Sequence, residues 1–202
     1  MNDPLASIEA ADIAVANATA LVEETPAGRL VGKFGGLGDQ PPMQALCSAV
    51  IVLGTWRGDW RLAGVGVRML AAHTMATCIK TLVKNQVDRT RPSLLVENGE
   101  YEARPGDSHE HDRTSFPSGH TAGVTAVATV FARSCPQHRR KALGAATFVA
   151  LVQVPRRAHF VSDVAAGAVI GLIGAAVVEG VWHWLEAVSH NTTRSKPRVN
   201  RG

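Results

Sequence analysis

Cysteine is sparse in this 202-residue chain. Cys47, Cys78 and Cys135 form neither a CxxC pair nor an even set, which argues against a disulfide framework and a cysteine-built metal centre and predicts small buried hydrophobes. Aromatic residues amount to 5%, and no zinc-finger, helix-turn-helix or aromatic-basic pattern accompanies the basic clusters at Arg139-Arg140-Lys141 and at Arg194, Lys196, Arg198 and Arg201. The net charge of +4 therefore reads as loop and tail charge, with no nucleic-acid partner. A basic n-region leading into an apolar core is missing from the start, where Asp3, Glu9 and Asp12 stand, so no cleavable signal is expected. No apolar segment reaches the ~20 uncharged residues of an ordinary membrane span. Internal repeats and low-complexity tracts are absent as well.

What is present is alternation of apolar helical segments with polar connections. Hydrophobic residues make up 46% of the chain, and a mean hydropathy of +0.03 leaves the compartment open. The length suits one domain with a full core. Leu5 to Val22 reads as an amphipathic helix, on a surface or on the core, despite Glu9 and Asp12. Glu23 to Pro42, rich in Gly and Pro, reads as a linker. Apolar segments follow at Met43–Trp56, Leu62–Val83, Gly119–Ala132, Ala142–Val154 and Val164–Val178. Arg68, His73 and Lys80 interrupt the second, and in a membrane they would have to face the bundle interior or an interface. Asn85 to Phe116 is too long for an ordinary connection and is expected to be functional. The basic residues Arg57, Arg61, Arg133 to Lys141 and the tail all fall on one side of such a bundle, as the positive-inside rule asks. Trp182 and Trp184 lie near a helix end, where interfacial anchoring competes with core packing.

Three short segments carry chemistry, and all fall on the opposite side. Ser115-Phe-Pro-Ser-Gly-His120 reads as a helix start with an anion site: Pro117 and Ser118 suit the first helical positions, Gly119 lets backbone approach closely, and the free N–H groups at that end would face a phosphate. His120, just inside, suits a general acid for a leaving alkoxide. Upstream, Lys84 and Arg91 are seven residues apart, two helical turns or about 10 Å, with Arg91 held to a helix end by Pro92. They would converge on one anion, Arg bidentately and Lys as a point charge. Alternatively they form a solvated basic end in which Asp88 pairs with Lys84. Downstream, His159 and Asp163 are four apart: on a helix Asp163 accepts from one ring nitrogen and frees the other as nucleophile. Asp163 or Ser162 equally suits a cap for the helix that follows. The run Ser108-His-Glu-His-Asp112 lacks the spacing of a zinc helix and reads as a polar loop at the mouth of the site. Asn191-Thr-Thr matches a glycosylation acceptor without further support.

Lys-x6-Arg-Pro, Pro-Ser-Gly-His and His-x3-Asp, in this order and each beside an apolar helix, resemble the signature of the type 2 phosphatidic acid phosphatase superfamily, which includes lipid phosphatases, bacterial acid phosphatases and vanadium haloperoxidases. The resemblance covers roughly Leu62 to Val178. It implies an all-α bundle of about five to six helices embedded in a membrane, the inner one in a bacterium, with a polar loop over a site on the non-cytoplasmic face. The first 60 residues and the tail add nothing to the resemblance; with them, the expected organisation is an N-terminal amphipathic helix and Gly/Pro-rich linker over 1–42, the bundle over 43–188 and a basic tail over 189–202.

The implied activity is hydrolysis of a phospholipid or isoprenoid phosphate or diphosphate through a phosphohistidine, with no metal and no cofactor. His159 would attack, Asp163 orient it and His120 protonate the leaving group. Lys84, Arg91, Ser118 and the Gly119 N–H would hold the phosphoryl oxygens. A soluble acid phosphatase, a haloperoxidase and a non-catalytic lipid-phosphate-binding protein are the competing readings. One departure stands out: the family's third motif opens with Ser-Arg, and here that pair is Val152-Gln153. Gln153 keeps a donor but no charge, and Arg156 or Arg157 is the expected replacement cation.

Overall fold

The apolar segments fold as helices in the computed structural model, which describes residues 4–22 and 25–194. Five helices form the bundle: α3 (Gln40–Trp56), α4 (Trp60–Lys84), α6 (Gly119–Ser134), α7 (Arg139–Val152) and α8 (Val161–Arg194). Shorter helices flank it, α1 (Pro4–Thr19), α2 (Pro26–Gly35) and α5 (Pro92–Asn98). The 85–116 connection is ordered by an antiparallel pair, β1 (Val87–Arg89) on β2 (Ala103–Pro105). Helix starts are written locally: Asp59 caps α4 by accepting from the Leu62 N–H at 3.0 Å, and Ser118 caps α6.

α4 lies at the centre, against α3, α6 and α8. Its buried residues Met69, Ala72 and Ala76 pack with Ala122, Ala126, Val127 and Val130 of α6 and with Ile170 and Ala175 of α8. Small residues bring the backbones close. A Cβ on Gly167 would stand 2.4 Å from the Ser118 carbonyl oxygen, and one on Gly171 2.5 Å from that of Ala122, so α8 can lie against the head of α6 only because both are glycine.

The charges that interrupt α4 face inward. Arg68 pairs with Glu179 of α8 at 3.3 Å, donates to Ser134 Oγ at 3.2 Å and lies over the Trp182 ring, while His73 is buried. Trp184 is exposed. With those charges internal, α4 and the Val161–Ser189 part of α8 are long and apolar enough to cross a membrane. The outer faces expose Val52, Trp56, Val169, Leu172 and Ile173.

Several expectations change. Residues 26–42 are not a linker: Thr25 caps α2, Pro26 opens it, a 3₁₀ turn follows at Gly36–Gly38, and Pro41 and Pro42 sit in the first turn of α3. The glycines there permit contact, for a Cβ on Gly35 would meet the Arg156 guanidinium at 2.2 Å. α1 turns Asp12 and Ala16 inward and leaves Leu5, Ile8 and Val15 exposed. α8 runs unbroken through residue 188 to Arg194, while Lys196, Arg198 and Arg201 lie outside the described residues. Of the cysteines, Cys47 is buried and Cys78 is exposed, because it falls on the outer face of α4.

Candidate active site

His159 lies in the turn before α8, almost fully buried, with Nδ1 2.7 Å from the Ser115 carbonyl oxygen. A carbonyl only accepts, so Nδ1 carries the proton and Nε2 keeps its lone pair. The helix begins at Val161, so the i, i+4 geometry expected of His159 and Asp163 does not arise, and the Asp163 carboxylate is 3.9 Å from Nδ1. Asp163 instead accepts from Ser115 Oγ at 2.5 Å, from the Phe160 N–H at 2.8 Å and from Arg89 at 2.6 Å. It therefore both caps α8 and anchors the residue whose carbonyl sets the His159 tautomer. Burial first, then Arg91 and His120, hold the His159 pKa well below its ordinary value.

His159 opens into a cleft of about 160 Å³ shared with Lys84, Arg91, Gly119 and His120, and with Gly38, Asp39, Gln40, Thr77 and Lys80. The two imidazoles face each other across it, ring centres 5.9 Å apart. Lys84 ends α4 and Arg91, extended before Pro92, precedes α5. They are not on one helix, since the chain turns at Asn85 into β1, but both reach the cleft. Asp88 does not pair with Lys84; it accepts from the Ser108 N–H at 2.7 Å and ties down the 106–112 loop. That loop holds Arg91 in turn, the His111 carbonyl accepting from its Nε at 2.8 Å, and from the turn before α8 the Ala158 carbonyl accepts from the guanidinium at 3.1 Å. Burial lowers the Arg91 pKa, partly offset by Asp112 and Asp163.

The remaining expected residues divide. Gly119 lines the cleft, whereas Ser118 is fully buried with its hydroxyl 3.0 Å from Thr121 Oγ1, spent on the helix cap. Gln153 points away: its amide donates to the Val149 and Gly35 carbonyls at 2.9 and 3.2 Å, and its oxygen accepts from Arg156 at 3.2 Å. Arg156 is thereby held against α2, and Arg157 sits at a left-handed turn, φ 53°. Neither is among the residues lining the cleft, although the Arg156 charge is felt at His120, where after burial it helps to lower the imidazole pKa against the pull of Asp39.

Four site residues escape sequence reasoning. Asp39 accepts from His120 Nε2 at 2.6 Å. Arg89 is buried and bridges Asp163 and Ser162 to Asp12 of α1 and the Tyr101 hydroxyl. Burial opposes its charge, but Asp163, Asp12 and Tyr101 outweigh that and raise its pKa. Asp12 also accepts from the Ser162 N–H and hydroxyl. Lys80, one turn before Lys84, lines the cleft beside Gly119. The local signal that could have found Asp39 is the Asp39-Gln-Pro-Pro42 run, an acidic residue at the N-cap of α3 with proline in its first turn.

Comparison with known proteins bears on the family and the fold. The sequence model of the PAP2 superfamily matches residues 65–187. A lipid A 1-phosphatase of Rhizobium etli is 29% identical over 107 residues, 53% of this chain and 46% of that protein. A decaprenylphosphoryl-5-phosphoribose phosphatase of Mycobacterium tuberculosis is 30% identical over 131 residues, 65% of this chain and 66% of that one. The chain thus spans about half the length of the first of these relatives. Among solved structures, the transmembrane PAP2 type phosphatidylglycerolphosphate phosphatase of Bacillus subtilis superposes with a TM-score of 0.66 at 22% identity, over 88% of this chain and 87% of that one. That likeness is one of fold.

Proposed function

Since the chain belongs to the PAP2 superfamily, we propose that it is a membrane-embedded phosphatase hydrolysing a lipid phosphate or diphosphate through a phosphohistidine, without metal. The observation that carries this reading is the 2.7 Å contact between His159 Nδ1 and the Ser115 carbonyl, which leaves a neutral, buried imidazole with its Nε2 lone pair for phosphorus.

In the first step Nε2 bonds to phosphorus, the ester P–O bond breaks, and the leaving oxygen takes a proton from His120. Positive charge then spreads over the His159 ring, where the Ser115 carbonyl and the Asp163 carboxylate stabilise it. Lys84, Arg91 and the first amides of α6 meet the charge on the phosphoryl oxygens, the main demand of phosphoryl transfer. In the second step water, giving a proton back to His120, attacks phosphorus; the P–N bond breaks and inorganic phosphate leaves.

A membrane setting is supported by the two long apolar helices and by the apolar outer faces, which also favour it over a soluble acid phosphatase. Arg61 and Arg133 share a polar cavity at the bundle end opposite the cleft, which supports a site on the non-cytoplasmic side. The relatives' names point to a substrate with a lipid or polyprenyl anchor.

The test is phosphate release from lipid phosphates, lipid diphosphates and a soluble phosphomonoester, with chelator throughout. Chelator-resistant release from a lipid substrate, lost in His159→Ala, is the expected result. Release from no substrate, or release unchanged in His159→Ala, overturns the reading.

A further inference from the structure

Lys80 interrupts an otherwise apolar stretch of α4, one turn before Lys84, and its side chain is half-buried. Its stem runs over the head of α6: the place where a Gly119 Cβ would stand is 3.7 Å from Lys80 Cδ, 3.6 Å from Cε and 3.9 Å from Nζ. These are ordinary van der Waals distances, so the Lys80 stem lies in contact range of the α6 head. The ammonium and the first amides of α6, which have no helical acceptors, thus border one side of the cleft, while Arg91 and His159 border it elsewhere.

Among the described residues no carboxylate forms an ion pair with Lys80 or Lys84. Half-buried ammonium groups without counter-ions are costly, and a cleft that gathers two of them with a guanidinium calls for a multiply charged anion. The position where the family pattern carries a third cation is Gln153, which faces the Val149 and Gly35 carbonyls instead.

We infer that Lys80 is a phosphoryl-binding residue of this site, supplying from α4 the cation that Gln153 cannot supply from the end of α7. This rests on the phosphatase reading for its catalytic consequence but not for its binding consequence. A lysine that merely extends along α4 toward an interface would leave anion affinity untouched.

The experiment is calorimetric titration of the full chain in detergent with inorganic phosphate and with orthovanadate, for wild type, Lys80→Met, Lys80→Arg and, as a control at the far end of the bundle, Arg61→Met. Lys80→Met is expected to weaken both anions by about 10-fold or more and to lower kcat/KM on a lipid phosphate by about 10²-fold. Lys80→Arg should recover most of each loss, and Arg61→Met should match wild type. Lys80→Met binding as tightly as wild type overturns the inference, as does a loss that Lys80→Arg fails to restore. If wild type binds the anions through Lys80 yet releases no phosphate from any lipid, Lys80 stands and the phosphatase reading falls. If wild type binds neither anion, both fall.

Discussion

Ser115 meets His159 and Asp163 with two different atoms: its carbonyl takes the Nδ1–H of the imidazole at 2.7 Å, and its hydroxyl donates to the carboxylate at 2.5 Å. The carboxylate therefore acts on the His159 ring through an intervening residue. Its own charge, 3.9 Å from Nδ1, matters most when the ring becomes cationic.

This separates two substitutions. Ser115→Ala keeps the carbonyl, and so the tautomer, but deprives a buried carboxylate of one donor, a loss of about 1–3 kcal/mol; kcat should fall about 10-fold. Asp163→Asn removes the charge that stabilises the phosphorylated ring and should lower kcat by about 10²-fold or more. Steady-state kinetics with thermal unfolding of both variants checks the order. Equal losses in kcat would mean that Asp163 serves only to hold Ser115.

Arg89 is the hub behind His159 and Asp163. It is a buried cation with a carboxylate on either side, 2.6 Å from Asp163 and 2.8 Å from Asp12. Arg89→Met leaves two buried anions without their partner, at a cost of about 3–5 kcal/mol. Arg89→Lys keeps the charge but loses the fork that reaches four partners, and should still be clearly less stable than wild type. Adding Asp12→Asn to Arg89→Met should recover part of the loss. Unfolding in detergent monitored by circular dichroism measures all three; an additive double mutant would remove the coupling claimed for α1.

Gly167 faces the Ser118 carbonyl oxygen at a distance no Cβ tolerates, whereas Gly180 has nothing within 4 Å of its position. Gly167→Ala should therefore destabilise by about 1–3 kcal/mol and lower activity by moving His159 relative to His120. Gly180→Ala, in the same helix, should be neutral or stabilising by up to about 1 kcal/mol. Melting temperatures of the pair distinguish helix packing from helix propensity. If both alanines behave alike, the α6–α8 contact is looser than described.

The contrast between what was legible in the sequence and what was not follows the range of the interactions. His120, His159, Lys84 and Arg91 stand in short motifs whose residue types speak for themselves, and the apolar segments match the first four bundle helices to within a few residues, whereas α8 runs 16 residues past the expected Val178 to Arg194. Asp12 could not be read as part of the site, because its partner Ser162 is 150 residues away and a carboxylate in an N-terminal helix ordinarily faces solvent. The 26–42 segment looks like a loop by composition because glycine and proline usually interrupt helices. Here the glycines serve close approach to Arg156 and His120, and the prolines open helices. Lys80 stood out only as a flaw in an apolar run until the fold brought Gly119 beside it.

The depressed pKa of His159 gives a pH dependence with a definite sign. Burial, reinforced by Arg91 and His120, keeps the ring neutral well below its ordinary value of 6.5. In the unfolded chain the same ring takes its proton near that ordinary value. Between the two values the unfolded chain binds more protons, so stability rises with pH across that window. The contribution is complete above about pH 6.5 and is lost as pH falls below it. Catalysis should follow the folded value: the nucleophile stays unprotonated through mildly acidic pH, and the acid limb of kcat/KM assignable to His159 lies below pH 6.5. Titration of the imidazole by NMR in histidine-labelled protein, set beside the pH–rate profile, tests both. A His159 ring that titrates at or above 6.5 in the free protein would show that water or a counter-charge reaches Nε2, and the neutral-nucleophile account would fail with it.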